Sequence, residues 1–255
     1  RIIDLANAAD GARRRHKYAQ RRRQHPELPV VVCEGDSWIA HPFVRDIGDH
    51  LFDDARSGFV VRNCGAAGDR LAAMAAAREH EAVLAETDAA ALVLSGGGND
   101  LLVQFREFLR TWVPGDEPSR LVTEVLERRL GELMVTMKQV LRRVRDRDRT
   151  LPIVVHGYDY LRVAAPERGQ FLSPWFDAKH IHDAGERQAT LGYVVDRFNH
   201  HLRDATLEVE GVAYVDVRGR VGADEWYDEI HPNDEGFGRV AETIGEVVRD
   251  AMARR

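Results

Sequence analysis

The chain has 255 residues, 44% of them hydrophobic, and its formal net charge at pH 7 is −6. This length and apolar content are enough to bury the core of one α/β domain. No apolar run approaches the roughly 18 residues that a membrane-spanning helix needs, so none is predicted. No Cys/His cluster has the spacing of a zinc site, and we expect neither a metal nor a cofactor.

The first predicted element is a basic segment. We interpret residues 1–27 as a helical N-terminal extension and residues 28–255 as the main domain. The extension could contact an anionic membrane surface, nucleic acid or a partner. The alternative is that its cations form the solvated face of a helix. Between residues 11 and 26 these cations are Arg13, Arg14, Arg15, Lys17, Arg21, Arg22 and Arg23, with no acidic residue among them.

Apolar runs and helical patterns then alternate along the chain. Continuous apolar runs at residues 28–34, 59–64, 90–95, 152–156 and 212–217 predict parallel strands buried on both faces. The alanine-rich stretch at residues 71–84 predicts a helix, and apolar residues at three-to-four spacing predict helices within residues 121–144, 191–202 and 240–252. Together they predict an α/β fold, a doubly wound three-layer αβα sandwich around a five-stranded parallel sheet.

The two cysteines, Cys33 and Cys64, each end a predicted strand. We expect them to be reduced core thiols, which favours a reducing, cytoplasmic compartment. The alternative is a disulfide between neighbouring strands. Since residue 1 is Arg rather than Met, removal of a signal peptide stays open.

Four short blocks carry the groups that acyl transfer needs. They are Gly35-Asp36-Ser37, residues 63–68, Gly97-Gly98-Asn99-Asp100 and residues 228–231. Serine becomes a good nucleophile when a base takes its proton, and a third group must hold that base in the right tautomer. Three of the blocks follow predicted strand ends, where ligands bind in such folds, so their side chains are expected to converge.

The last block supplies the acid–base pair. Asp228 and His231 are three residues apart, which places both side chains on one side of a helical turn or tight loop. Pro232 is expected in the first turn of the helix that follows. Rival carboxylates near the histidine are Asp224, Glu225 and Glu229.

From residue 30 to about residue 251, these blocks and their order resemble the SGNH (GDSL-type) hydrolase superfamily. The resemblance implies a flavodoxin-like fold and a serine esterase with the catalytic residues Ser37, Asp228 and His231. It also implies an oxyanion hole formed by the N–H of Ser37, the N–H of Gly68 and the side-chain amide of Asn99.

Other catalytic and binding motifs are incomplete. Residues 35–39 lack the second glycine of the nucleophile elbow, which disfavours an α/β-hydrolase. Residues 65–68 follow a strand as part of a dinucleotide fingerprint would, but its leading glycine is missing. The sequence has neither a Walker A phosphate loop nor a His-Glu-x-x-His zinc helix.

Two long connections are expected on the same rim as Ser37, at residues 101–118 and 157–185. Aromatic side chains suit an acyl chain or a sugar face. We therefore expect the substrate contacts to include Trp38, Trp112, Trp175 and Phe176. Trp38 stands where the superfamily usually has leucine, which predicts a narrower pocket. The alternative is that the loop aromatics pack among themselves.

The sequence thus predicts a serine esterase that acts on a lipid, phospholipid or acetylated-sugar ester, or on a thioester. The alternative is a catalytically silent binding module that uses the basic N-terminal segment. Oligomeric state stays open.

Overall fold

The computed structural model describes residues 2–54, 58–113, 115–163 and 170–255. The strands are β1 (Val30–Glu34), β2 (Val60–Asn63), β3 (Ala89–Leu94), β4 (Ile153–His156) and β5 (Val212–Val215). The helices are α1 (Ile2–Gln24), α2 (Ile47–Asp53), α3 (Leu71–Ala77), α4 (Glu79–Glu86), α5 (Gly98–Phe108), α6 (Glu124–Arg147), α7 (Ser173–Ala178), α8 (Ala184–Leu207) and α9 (Asp234–Ala253). A short 3₁₀ turn, Pro118–Arg120, precedes α6.

The strands form one sheet in the order β2-β1-β3-β4-β5, and every neighbouring pair is parallel. Strand β1 is buried along its whole length, as a central strand covered on both faces must be. Helices pack into two groups, with α2 on α9 and with α3, α5 and α8 on α6. The predicted three-layer α/β sandwich with a five-stranded parallel sheet is confirmed.

The predicted strand positions are right, and their ends differ by one or two residues. Strand β5 ends at Val215 rather than at Val217. The reason is its partner: His156 is the last residue of β4, and it pairs with Val215. Val217 is fully buried although it lies outside the strand, so its apolar side chain indicates burial in the core and not strand pairing.

The structure differs from the predictions for two helical regions. The single helix predicted at residues 71–84 is wrong, because Arg78 adopts a left-handed conformation (φ 58°) and separates α3 from α4. The first part of the connection predicted at residues 101–118 belongs to helix α5, which ends at Phe108. Its buried residues Leu101, Phe105 and Phe108 follow a helical spacing, so the signal was present in the sequence.

The basic segment is a helix, as predicted, and it packs against β2. Asn7 Nδ2 donates to the carbonyl oxygen of Ala67 at 2.8 Å. Arg22 donates to the carbonyl oxygens of Pro26 and Leu28 at 2.5 and 2.7 Å, which ties the end of α1 to the chain entering β1. Part of the positive charge therefore serves intramolecular contacts.

The expectation that Arg14 is a surface cation is wrong. Its side chain is 5% exposed, and its guanidinium donates to Asp10 and Asp46 at 2.5 Å each. Burial alone would lower the pKa of Arg14, but these carboxylates together with Asp49 raise it above the usual range. Arg14 therefore stays charged and fixes α1 to the segment before α2, and contact of the remaining cations with an anionic surface stays a prediction.

Within the described part of the chain, no helix is both long and apolar enough to cross a membrane. Cys33 and Cys64 are free thiols rather than a disulfide. The Cys64 thiol donates to the carbonyl oxygen of Cys33 at 3.2 Å.

Candidate active site

Ser37 lies in the turn that directly follows β1. The Asp36 carboxylate accepts the N–H of Trp38 at 3.0 Å, and the Asp36 carbonyl accepts the N–H groups of Ile39 and Ala40. This turn reverses the chain at the carboxyl end of a central strand, the edge at which such folds bind ligands. The serine is 7% exposed, so its hydroxyl is held at the floor of a depression.

The acid–base pair lies between β5 and α9. Asp228 Oδ1 accepts the backbone N–H groups of Ile230 and His231 at 2.9 and 2.8 Å, and these bonds close a tight loop. Asp228 Oδ2 is 2.8 Å from His231 Nδ1, and His231 Nε2 is 2.8 Å from Ser37 Oγ. The structure therefore brings the three residues together in one hydrogen-bonded chain.

The electrostatics of Asp228 suit an orienting group. Burial raises its pKa, but the His231 side chain and the N–H groups of Ile230 and His231 outweigh burial and lower it below the usual value. The carboxylate therefore stays ionised and holds a proton on His231 Nδ1, which leaves Nε2 free to accept the proton of Ser37.

One local expectation at this block is wrong. Helix α9 begins at Asp234, and Asn233 caps it by accepting the N–H of Gly236 at 3.1 Å. Pro232 therefore precedes the helix instead of lying in its first turn. The pair Asp228 and His231 depends on its own loop for rigidity, not on α9.

Two of the three rival carboxylates are engaged elsewhere, and the third, Asp224, is exposed. Glu229 is fully buried and accepts the N–H groups of Leu172 and Ser173, which pins the loop leading into α7. Glu225 accepts from the guanidinium of Arg239 at 2.7 Å. Asp228 is the carboxylate in hydrogen-bond contact with His231.

The two further oxyanion candidates lie on loops beside Ser37. Ala66 N–H donates to the carbonyl oxygen of Gly35 at 3.0 Å, which holds the loop after β2 against the Ser37 turn. Gly68 on that loop has φ 87°, a conformation that favours glycine. Asn99 lies in the first turn of α5, and its Nδ2 donates to the carbonyl oxygen of Asp69 at 2.9 Å.

These candidates differ in how they face the site. Asn99 lines the same cavity as Ser37 and His231, whereas Gly68 does not line it. Within the described residues, the backbone N–H groups of Ser37 and Gly68 have no hydrogen-bond acceptor from the protein itself. Both are therefore available to a ligand.

Tyr158 was missed in the sequence, although it joins two of the blocks. Its hydroxyl donates to Asp36 Oδ2 at 2.6 Å and accepts the N–H of Gly98 at 3.0 Å. A side chain at position 98 would lie 2.8 Å from the Tyr158 ring, so the close approach requires glycine there. The only sequence signal for this contact was the position of Tyr158 just after β4. Strand β4 lies beside β3 in the sheet, so the residues that follow the two strands lie close together.

Trp38 connects the nucleophile turn to the acid–base loop. Its Nε1 donates to the carbonyl oxygen of Ile230 at 3.0 Å, and its ring meets that of Tyr158 edge to face at 5.2 Å. Trp38 also lines the cavity at Ser37, where a substrate contact was expected.

A second histidine lies against the first. The ring of His41 is 4.6 Å from that of His231, and its Nδ1 accepts the N–H groups of Phe43 and Val44. Burial, and next the neighbouring His231, lower the pKa of His41 to about 4. His41 is therefore neutral at pH 7 and places no second positive charge beside the base.

A narrow apolar cavity of about 60 Å³ opens at Ser37, Asn99 and His231. Helices α5 and α8 supply most of its remaining wall. Trp112, Trp175 and Phe176 do not line it.

These three aromatics have other surroundings. Phe176 is fully buried with its ring 5.4 Å from that of Phe105. Trp175 is 36% exposed, with the Arg106 guanidinium over its ring. Trp112 is half-buried. Phe176 fits the alternative interpretation, in which loop aromatics pack into a core.

Comparison with solved structures places the fold among lipases and esterases. A lipase from Streptomyces rimosus aligns with a TM-score of 0.60 at 16% identity, covering 86% of this chain and 99% of its own. Phospholipase A1 from Streptomyces albidoflavus NA297 aligns with a TM-score of 0.53 at 14% identity, covering 86% of this chain and 99% of its own. A family 3 carbohydrate esterase from Clostridium thermocellum aligns with a TM-score of 0.54 at 11% identity, covering 89% of this chain and 98% of its own. At such identities the likeness shows the fold alone, and a search of curated proteins returned no match.

The protein is an ester-cleaving hydrolase. The model of the GDSL-like lipase/acylhydrolase family matches residues 33–239, most of the chain, and the chain belongs to that family. The resemblance to SGNH (GDSL-type) hydrolases is thereby confirmed.

Proposed function

We propose that the protein is a serine esterase in which Ser37 attacks the carbonyl carbon of a carboxylic ester. The observation that carries the proposal is the unbroken chain from Asp228 through His231 to Ser37, with 2.8 Å at each of its two links. A serine hydroxyl is activated when a base lies within hydrogen-bond reach of it and a third group orients that base.

The first half-reaction forms an acyl-enzyme. The Ser37 Oγ–carbon bond forms while His231 Nε2 takes the hydroxyl proton, and the carbonyl oxygen becomes an oxyanion. When this intermediate collapses, the bond to the alcohol oxygen breaks and His231 returns the proton to that oxygen. In the second half-reaction water attacks the acyl group with His231 as base, which releases the acid and restores Ser37.

The oxyanion is stabilised by the N–H of Ser37, the N–H of Gly68 and the side-chain amide of Asn99. Loss of one such donor costs roughly 2.7–4 kcal/mol in the transition state. Support for the two N–H groups comes from their lack of an acceptor within the described residues. Support for Asn99 comes from its position on the cavity wall with Ser37.

The alternative of a catalytically silent binding module has less support. Arg14 and Arg22, two cations of its expected working surface, are engaged in intramolecular contacts. The hydrogen-bonded Ser37, His231 and Asp228 would also have no purpose in a silent protein.

Ester hydrolysis by a matched pair of serine variants tests the function. Ser37→Ala is expected to abolish hydrolysis of p-nitrophenyl esters with an unchanged circular dichroism spectrum. Ser119→Ala, which removes an exposed hydroxyl, is expected to keep wild-type activity. Wild-type rates in folded Ser37→Ala would refute the proposal.

A further inference from the structure

The shape of the cavity beside Ser37 points to the substrate class. Leu102 and Phe105 on α5 form one wall, and Leu191, Val194 and Phe198 on α8 form the other. Asn99 lies in the first turn of α5, next to the oxyanion position, so the space between the two helices starts where the carbonyl group of a substrate would lie.

The walls of this space are apolar. Apart from Ser37, Asn99 and His231, the polar side chains on the cavity are those of Asp36 and Tyr158, which hydrogen bond to each other. A sugar or other hydroxyl-bearing group placed between the helices would lose its hydrogen bonds to water without replacement, which is costly. An alkyl chain makes no hydrogen bonds to water, so it loses none on entering the cavity.

The cavity is small. Its volume of about 60 Å³ is less than half of the roughly 150 Å³ of an engineered apolar cavity that binds benzene. A short unbranched chain fits such a space, whereas a bulky ring does not.

Among the described residues, exposed aromatic side chains lie near His231 outside this cavity. The rings of His41 and Phe171 lie 4.6 and 6.0 Å from the His231 ring, and Phe171, Phe43 and Tyr227 around them are exposed. His231 must return a proton to the departing alcohol oxygen. We expect the alcohol to leave on the side of these exposed residues and the acyl chain to enter the space between α5 and α8.

We propose that the cavity between α5 and α8 binds the acyl chain and selects short unbranched aliphatic acyl groups, such as butyryl and hexanoyl, over acetyl and palmitoyl. This inference rests on the proposed esterase function. Each methylene that enters the cavity raises kcat/KM about fourfold. A chain that is too long for a cavity of about 60 Å³ cannot enter it while its carbonyl carbon stays at Ser37, so kcat/KM falls again for palmitoyl.

A chain-length series with a cavity-filling variant tests the assignment. Wild type is expected to hydrolyse p-nitrophenyl butyrate and hexanoate with higher kcat/KM than the acetate or palmitate. Val194→Phe narrows the space and is expected to lower kcat/KM for hexanoate at least tenfold more than it lowers kcat/KM for acetate. Val135→Phe, the same change at an exposed position on α6, is expected to alter neither.

Two further measurements keep the test decisive. Leu102→Ala enlarges the cavity at a half-buried position, so it is expected to move the preference toward longer chains even if Val194→Phe fails to fold. Methyl hexanoate is expected to be a better substrate than hexyl acetate, because the alkyl chain must lie on the acyl side.

The outcomes separate the two proposals. Hydrolysis that depends on Ser37 but favours acetate or hexyl acetate, with no change of preference in either variant, would overturn the acyl assignment and leave the esterase intact. No hydrolysis of any ester by wild type would instead refute the esterase itself.

Discussion

Two buried charged clusters contact the Ser37 turn or the residues just after it, and they have opposite consequences. In one, Asp228 is bonded to His231, whose second nitrogen faces a hydroxyl at the mouth of a cavity. In the other, Arg14 is bonded to Asp10 and Asp46, with a further long contact to the carbonyl oxygen of Ile39. Buried charge alone therefore does not identify an active site. An active site also needs a reactive group that lines a cavity for the substrate.

The comparison predicts that damage to the first cluster removes chemistry and leaves the fold. His231→Ala is expected to reduce kcat by about 10⁶, since nothing then accepts the Ser37 proton. Asp228→Asn is expected to cost less, because Asp228 only orients the base and stabilises its charge. Kinetics with p-nitrophenyl butyrate check the order, and a larger loss in Asp228→Asn than in His231→Ala would contradict these roles.

A smaller loss is expected at the oxyanion position. Asn99→Ala should lower kcat by roughly 10²–10³ with little change in KM, because the amide acts mainly in the transition state. Steady-state kinetics separate the two parameters. A raised KM with unchanged kcat would make Asn99 a ground-state binding residue instead.

Damage to the second cluster should remove stability and leave chemistry. Arg14→Met removes the ion-pair partner of the buried Asp46 carboxylate, which costs about 3–5 kcal/mol in the free energy of unfolding. Urea denaturation measures this cost, and kcat of the folded variant is expected to stay near wild type. Arg15→Met, the same change at the exposed neighbour, serves as the control. Equal stabilities of the two variants would contradict the structural role of Arg14.

The smallest effect concerns a histidine in neither cluster. His156 is fully buried, and burial lowers its pKa to about 4 in the folded protein, whereas an unfolded histidine titrates near about 6.5. The unfolded state therefore binds the extra proton first, and stability is lost as pH falls from about 6.5 to 4, by about 3 kcal/mol at most.

Denaturation across this pH range checks the sign. His156→Leu is expected to remove about half of the loss, because His41 has a pKa lowered to about 4 as well, while His200→Leu, at an exposed position, is expected to keep the wild-type slope. A slope in His156→Leu as steep as in wild type would show that other groups carry the acid sensitivity.

The sequence predicted the sheet and the grouping of Ser37, Asn99 and His231 because both follow from local patterns. Apolar runs mark buried strands, and the ends of parallel strands meet at one edge of the sheet. The spacing of Asp228 and His231 is likewise local and needs no knowledge of the rest of the fold.

The cavity wall and the Arg14 cluster were not predicted, because they depend on distant segments. Leu102 and Val194 line the same cavity only once α5 and α8 have both packed against α6, and Arg14 meets Asp46 across 32 positions of sequence. Trp175 and Phe176 drew attention by residue type, yet the described fold directs them away from the cavity. Residue type predicts that a side chain needs burial, not which neighbours bury it.

Covalent labelling with a fluorophosphonate tests the central claim most directly, because this probe reacts with a serine only where the hydroxyl is activated. Wild type, Ser37→Ala and Ser119→Ala are treated in parallel, and the adduct is located by peptide mass spectrometry. We predict one adduct, on Ser37, in wild type and Ser119→Ala, and none in Ser37→Ala. Equal labelling of Ser37→Ala, or an adduct on another residue, would contradict the account.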